Sequence, residues 1–153
     1  MLSYIEEYPL NKAMIFLPLL ITIAWNGCNG TAKETAPPGA FSYTSYDSSG
    51  VPIVSGWFTL INSDSTHVTG EWHLMATGSA GRIGPQTGNG KLVGGINGEK
   101  FWIELNPQVR NNNLQLNGIF SKDSLAGQWT WINNEGIANQ GRFYAVRKSH
   151  QGS

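Results

Sequence analysis

The chain has 153 residues, of which only 13% are charged, and its ten basic and ten acidic side chains give a formal net charge of zero at pH 7. Without an excess of basic residues there is no surface to collect a phosphate backbone, so nucleic-acid binding has no support. The length fits one domain with one modest core.

An apolar run near the N terminus predicts an export signal. Residues 13–25 are apolar apart from Thr22 and follow Lys12. The run is short for a bilayer span, which needs roughly 20 residues, but it suits the hydrophobic region of a signal peptide. Gly27 and Cys28, the only cysteine, come just after it. This arrangement resembles the signal peptide of bacterial lipoproteins, in which the cysteine becomes the lipidated first residue of the mature chain.

The resemblance implies an envelope protein held to the membrane by its lipid. In that family an aspartate after the cysteine often retains the protein at the inner membrane. Asn29 stands there instead, which implies an outer-membrane lipoprotein facing the periplasm or the surface. The alternatives are an ordinary cleaved export signal, an uncleaved anchor, or a start at Met14. The expected organisation is a signal peptide at 1–27, a tether at 28–38 beginning with lipidated Cys28, a domain at 39–148 and a disordered tail at 149–153.

After the tether, alternating apolar and polar residues predict a series of β-strands separated by short turns. In the strand over residues 66–75, for example, Trp72 lies on the inward face with Val68 and Leu74. Residues 76–90 are rich in glycine, serine and proline and predict the longest loop, a natural place for a lid or binding edge. Asn97-Gly98 is the strongest hairpin signal. The predicted strands cover residues 41–46, 51–62, 66–75, 91–96 and 99–106, and three more lie within 114–148.

A glycine followed two residues later by an aromatic side chain recurs within these strands. A spacing of two places both residues on one face of a strand. Glycine weakens a strand, so its repeated use predicts bends or close backbone approaches of the kind that a small barrel requires. The pairs are Gly56 with Phe58, Gly70 with Trp72, Gly118 with Phe120, Gly127 with Trp129, and Gly141 with Phe143.

The predicted fold is therefore all-β, an antiparallel up-and-down meander of about eight strands closing into a small barrel. Over residues 39–148 the strand rhythm and the use of glycine and aromatic residues resemble lipocalin-like and avidin-like barrels. The resemblance does not extend to the diagnostic motif of either family. It implies a lumen that holds either packed side chains or one small ligand.

Catalytic and metal sites find little support in the sequence. His67, Glu71 and His73 share one strand face, but residues 67 and 73 are roughly 20 Å apart along an extended strand, too far for one zinc ion. The carboxylates have no spacing that predicts a glycosidase pair. No nucleophile motif is present, so we expect no catalytic residues, no metal and no cofactor, and a small hydrolase remains the least favoured alternative.

Aromatic residues are the best signal for a site. The simplest interpretation places the tryptophans and phenylalanines of strands in the core. A sharper hypothesis is that Trp72, Trp129 and Trp131, with Arg82 from the long loop, line an open barrel mouth that binds a small apolar or sugar ligand. A second hypothesis is an envelope protein, such as an inhibitor or assembly factor, that binds another protein through its loops. A large lumen cavity would favour the first hypothesis, whereas a packed lumen with exposed apolar residues would favour the second.

Overall fold

A computed structural model describes residues 39–77 and 83–149 of the chain. This part forms eight strands and one turn of 3-10 helix, at Gly84–Gln86. No helix in these two ranges is long and apolar enough to span a bilayer. The strands are β1 (Gly39–Tyr46), β2 (Pro52–Asn62), β3 (His67–Ala76), β4 (Gly88–Asn97), β5 (Lys100–Glu104), β6 (Asn112–Ser121), β7 (Ser124–Asn133) and β8 (Gly136–Arg147).

Each strand pairs antiparallel with the next, and β8 pairs with β1, so the sheet is a closed barrel. This confirms the predicted up-and-down meander of eight strands, and the architecture is consistent with a lipocalin-like fold. Closure removes the unpaired strand edges that an open sheet would expose. The pairing of β1 with β8, in which Tyr43 lies opposite Ala145, closes the barrel.

The predicted hairpin between β4 and β5 is confirmed, with its loop shifted by one residue. Asn97 pairs with Lys100, so the two loop residues are Gly98 and Glu99 rather than Asn97 and Gly98. Gly98 has φ +61°, and glycine adopts such a backbone without steric cost. A glycine at the first loop position is typical of the tight turns that match strand twist.

The core fills the inside of the barrel, because inward and outward residues alternate along every strand. In β3 the inward residues Val68, Trp72 and Leu74 are buried, while the outward residues between them are exposed or half-buried. Two tryptophans depart from the simple core interpretation, since Trp57 and Trp102 lie on the outer wall. The largest fully buried side chains are Trp129, Tyr43, Phe41, Phe58, Leu74, Leu92, Ile103, Leu105, Leu114, Leu116, Leu125 and Gln86.

The strand glycines lie where neighbouring backbones approach closely, as predicted. Gly118 and Gly127 are directly opposite each other in the β6–β7 pair. A Cβ atom added to Gly118 would overlap the carbonyl oxygen of Ala126, and one added to Gly127 would overlap that of Asn117. Similar overlaps with backbone oxygens occur at Gly56, Gly70, Gly94 and Gly141.

Candidate functional site

The three tryptophans predicted to line the mouth lie on inward-facing positions, and each indole N–H is already hydrogen-bonded. Trp72 is buried and donates to the carbonyl oxygen of Leu105 at 2.6 Å. Trp129 is fully buried and donates to the carbonyl oxygen of Tyr46 at 2.8 Å. One bond joins β3 to the residue after β5, and the other joins β7 to β1. The two rings therefore contribute to the barrel's own packing.

Trp131 is two residues closer than Trp129 to the end of β7, and it is partly buried. Its indole N–H donates to Oδ1 of Asn112 at 2.8 Å. The ring packs against Gly84, where an added Cβ atom would lie 2.7 Å from the indole. Gly84 also has φ +62°, so both the backbone conformation and the lack of a side chain let the 3-10 helix lie against Trp131.

The 3-10 helix closes this end of the barrel through Gln86, whose side chain is completely buried. Its Oε1 atom accepts hydrogen bonds from the Ser45 hydroxyl at 2.8 Å and the Tyr43 hydroxyl at 3.3 Å. Its Nε2 atom donates to the carbonyl oxygen of Ile83 at 2.8 Å. A side-chain amide can accept and donate at once, so one buried residue satisfies two core hydroxyls. The segment predicted as a lid or binding edge thus places a plug in the mouth.

Burial also changes the acidity of a core residue. The Tyr43 phenol is fully enclosed, and this desolvation raises its pKa well above the usual value near 10, with the Ser45 hydroxyl offsetting only part of the effect. Tyr43 therefore stays neutral, and its hydroxyl donates a hydrogen bond to Gln86.

Two of the predicted site residues lie outside the described residues. Arg82 falls in the segment 78–82, and Cys28 falls in the N-terminal segment 1–38. The grouping of Arg82 with the three tryptophans and the lipidation of Cys28 remain predictions.

Arg147 lies at the opposite end of the barrel. Its guanidinium lies over the Phe41 ring, 5.1 Å from the centroid, and its Nε atom is 3.3 Å from Oδ1 of Asp123. An added Cβ atom on Gly39 would lie 2.5 Å from Nη1 of Arg147. The glycine therefore leaves room for the arginine at the end of the lumen.

A groove runs along the outer wall formed by β1 to β4. It has a volume of about 930 Å³. Ile61, which is 59% exposed, and Val93 line it together with Glu71 and Lys91, which form an ion pair. Protein–protein interfaces likewise combine apolar and charged side chains.

The three polar residues that share one face of β3 each contact a different partner. His67 pairs through Nδ1 with Asp64 at 2.9 Å, His73 stacks on Trp57, and Glu71 pairs with Lys91. Hydrogen bonds from the backbone N–H groups of Thr66 and His67 hold the pKa of Asp64 well below its usual range. Across residues 39–77 and 83–149, no three His, Cys, Asp or Glu side chains lie close enough to hold a metal ion.

Comparison with models of known protein families gives no match, and comparison with curated protein sequences gives none either.

Proposed function

We propose that this is a lipid-anchored, non-enzymatic protein of the bacterial cell envelope that binds another protein on the outer wall of its barrel. The observation that carries the proposal is the filled lumen. Trp129 and Tyr43 occupy its interior, and Gln86 closes the mouth through buried hydrogen bonds. A ligand entering the mouth would have to displace Gln86 and leave two core hydroxyls without an acceptor, which costs roughly 1–3 kcal/mol for each unsatisfied group.

The outer groove of β1 to β4 supports a protein as the partner. Ile61 is exposed and Val93 is half-buried, and burying their apolar surface against a partner releases about 25 cal/mol per Å². The Glu71–Lys91 pair at its edge offers both charges to the rim of an interface. A single apolar pocket for a small molecule would instead be enclosed on most sides.

The N-terminal sequence pattern supports the envelope location. Lipidation of Cys28 would attach the chain to the membrane, with residues 28–38 as a spacer. A spacer of this length extends at most about 40 Å, at roughly 3.5 Å per residue. The barrel would therefore stay close to the membrane surface and meet partners that are themselves in the envelope.

A photo-crosslinking amino acid placed at Ile61 tests the protein-binding surface. The matched control places the same amino acid at Ile137, which is 67% exposed but lies in the β7–β8 hairpin. In intact envelopes of the source organism we expect a discrete protein adduct from position 61 and none from position 137. Equal adducts at both positions, or no adduct at position 61, would overturn the proposed surface.

The anchor is tested by the mass of the protein purified from its own membranes. We expect added diacylglyceryl and acyl mass on Cys28, and we expect Cys28→Ser to release the protein from the membrane fraction. An unmodified Cys28 would end the lipoprotein proposal. Native mass spectrometry of the same sample also tests the small-ligand alternative, because a ligand retained in the lumen would favour that alternative over a protein partner.

A further inference from the structure

The outer wall on the other side of the barrel carries a different kind of surface, centred on Trp102. This tryptophan is 41% exposed, although the inward residues on either side of it are buried. Its indole lies on the backbone of β4, where an added Cβ atom on Gly95 would be 2.5 Å from Nε1 and 2.9 Å from Cε2. The absence of a side chain at Gly95 lets the ring lie against the sheet, which leaves an aromatic surface toward solvent.

Strand register places four polar or aromatic residues in one line with Trp102. Asn117 lies directly opposite Trp102, Gln128 opposite Asn117, and Arg142 opposite Gln128. Tyr46 of β1 completes the line opposite Arg142. We call these five residues the outer row. With strands about 4.8 Å apart, four spacings give the row a length of about 19 Å around the wall.

Both ends of the outer row are concave. Trp102 and Asn117 help to line a groove of about 700 Å³. Gln128, Arg142 and Tyr46 help to line another of about 630 Å³, bounded by the β1–β2 turn. The row therefore connects two depressions.

The polar groups of the row are available for a ligand. Within the described part of the chain, the side chains of Asn117, Gln128 and Arg142 have no hydrogen-bond or ion-pair partner. The wall of β1 to β4 differs, because Glu71 pairs with Lys91 and Trp57 stacks on His73. Two carboxylates close in sequence to the row are also engaged. Asp47, next to Tyr46, accepts from two backbone N–H groups, and Glu104, two residues after Trp102, accepts from Gln115.

The chemistry of the outer row fits a neutral sugar chain. The negative face of an exposed indole attracts the weakly positive C–H groups on a sugar ring. Side-chain amides donate and accept hydrogen bonds, as sugar hydroxyls do. Arg142 is the only ionic side chain in the row, and the two grooves add Lys100 and Asp47, which carry opposite charges. Anionic polymers are instead recognised by clusters of cations.

We propose that the outer row is a binding site for a linear, uncharged oligosaccharide, with Trp102 as its stacking platform and Asn117, Gln128 and Arg142 as its hydrogen-bonding groups. The site shares no residue with the proposed protein-binding groove and does not depend on it. Its length favours several linked sugar rings over a single one.

The purified protein is titrated with three probes: cellohexaose, chitohexaose and maltohexaose. Binding is measured by calorimetry and by tryptophan fluorescence. We expect at least one hexasaccharide to bind, and Trp102→Ala to weaken that binding at least about tenfold, or about 1.4 kcal/mol. Gln128→Ala should also weaken it. Trp57→Ala is the matched control, since it removes an outward tryptophan from the other wall, and it should leave the affinity unchanged.

Thermal unfolding of each variant separates lost binding from lost folding, and Trp102→Tyr provides a second, conservative variant that should retain part of the affinity. The disaccharide of the bound sugar should bind more weakly than the hexasaccharide. The proposal is overturned if none of the three hexasaccharides binds at millimolar concentration. It is also overturned if Trp102→Ala and Trp57→Ala weaken binding equally, or if the disaccharide binds as tightly as the hexasaccharide.

Discussion

At the scale of single residues, the barrel depends on glycines at inward-facing positions where two backbones come close together. Gly118 and Gly127 oppose each other in the β6–β7 pair, and each lies against a carbonyl oxygen of the other strand. A spacing of two between glycine and a bulky ring then puts Phe120 and Trp129 into the space beyond the contact. Tight curvature and a filled core are thus obtained from the same short pattern.

Gly118→Ala tests this requirement. Alanine is the better strand former by intrinsic preference, but its Cβ atom would overlap the Ala126 carbonyl oxygen, which is backbone and has little freedom to move. We therefore expect a loss of about 2 kcal/mol or more in the free energy of unfolding, measured with urea. Asn117→Ala, the exposed neighbour on the same strand, is the control and should change stability by less than about 0.5 kcal/mol. Equal stability of the two variants would contradict the argument.

At the scale of elements, the least regular segment does much to define the interior. The 3-10 helix sits between β3 and β4, and Asn106 donates to the carbonyl oxygen of Pro85 at 3.2 Å, which ties it to the loop after β5. Gln86 then joins this helix to β1 through Ser45 and Tyr43. Three parts of the chain that are distant in sequence are thereby connected at one end of the barrel.

Gln86→Ala should weaken this connection. The substitution leaves the hydroxyls of Tyr43 and Ser45 without their shared acceptor inside the core, and unsatisfied buried groups cost about 1–3 kcal/mol each. We expect the free energy of unfolding to fall by about 2 kcal/mol or more in urea titrations. Thr87→Ala, at the exposed next residue, should stay within about 0.5 kcal/mol of wild type. If both variants match wild type, Gln86 does not stabilise the mouth.

Strands were more predictable than sites, for a physical reason. Alternation is a local property, so it correctly placed Trp72 and Trp129 inside and the exposed His67 and Glu71 outside. The buried role of Gln86 could not be seen in this way, because the segment around it has the composition of a loop. The only hints of an ordered segment in this glycine-rich sequence were the apolar Ile83 and the conformationally restricted Pro85.

The grouping of residues in the outer row could not be predicted from the sequence either. Alternation predicts that Trp102 and Phe101 point to opposite faces, but it does not say which residues of other strands come to lie beside Trp102. That depends on the register of four strand pairs, from β5 through β8 to β1. A shift of one residue in any of them would replace outward side chains with inward ones.

At the scale of the whole molecule, the barrel should lose stability in alkali. The pKa of Tyr43 is raised by burial, so above about pH 10 the unfolded chain loses a proton that the folded protein keeps. Stability contributed by the neutral phenol is complete below the unfolded pKa and falls as the pH rises from there, by about 1.4 kcal/mol per pH unit.

Urea unfolding of wild type and Tyr43→Phe between about pH 9 and about pH 11 measures this effect. The variant cannot ionise at this position, so its stability should fall less steeply with pH than that of wild type. All other side chains are the same in both proteins, so their contributions cancel in the comparison. Parallel pH dependences would show that Tyr43 ionises as readily in the folded protein as in the unfolded chain.

The pairing of the first strand with the last has a further consequence for the connectivity of the barrel. Phe41 lies opposite Arg147, and the Lys148 amide donates to the Ala40 carbonyl at 2.8 Å. A few glycines joining these two ends would therefore produce a circular permutant with every ladder intact. Its new termini could be opened at the exposed Gly98-Glu99 loop, since eight strands arranged in a ring have no obligatory beginning.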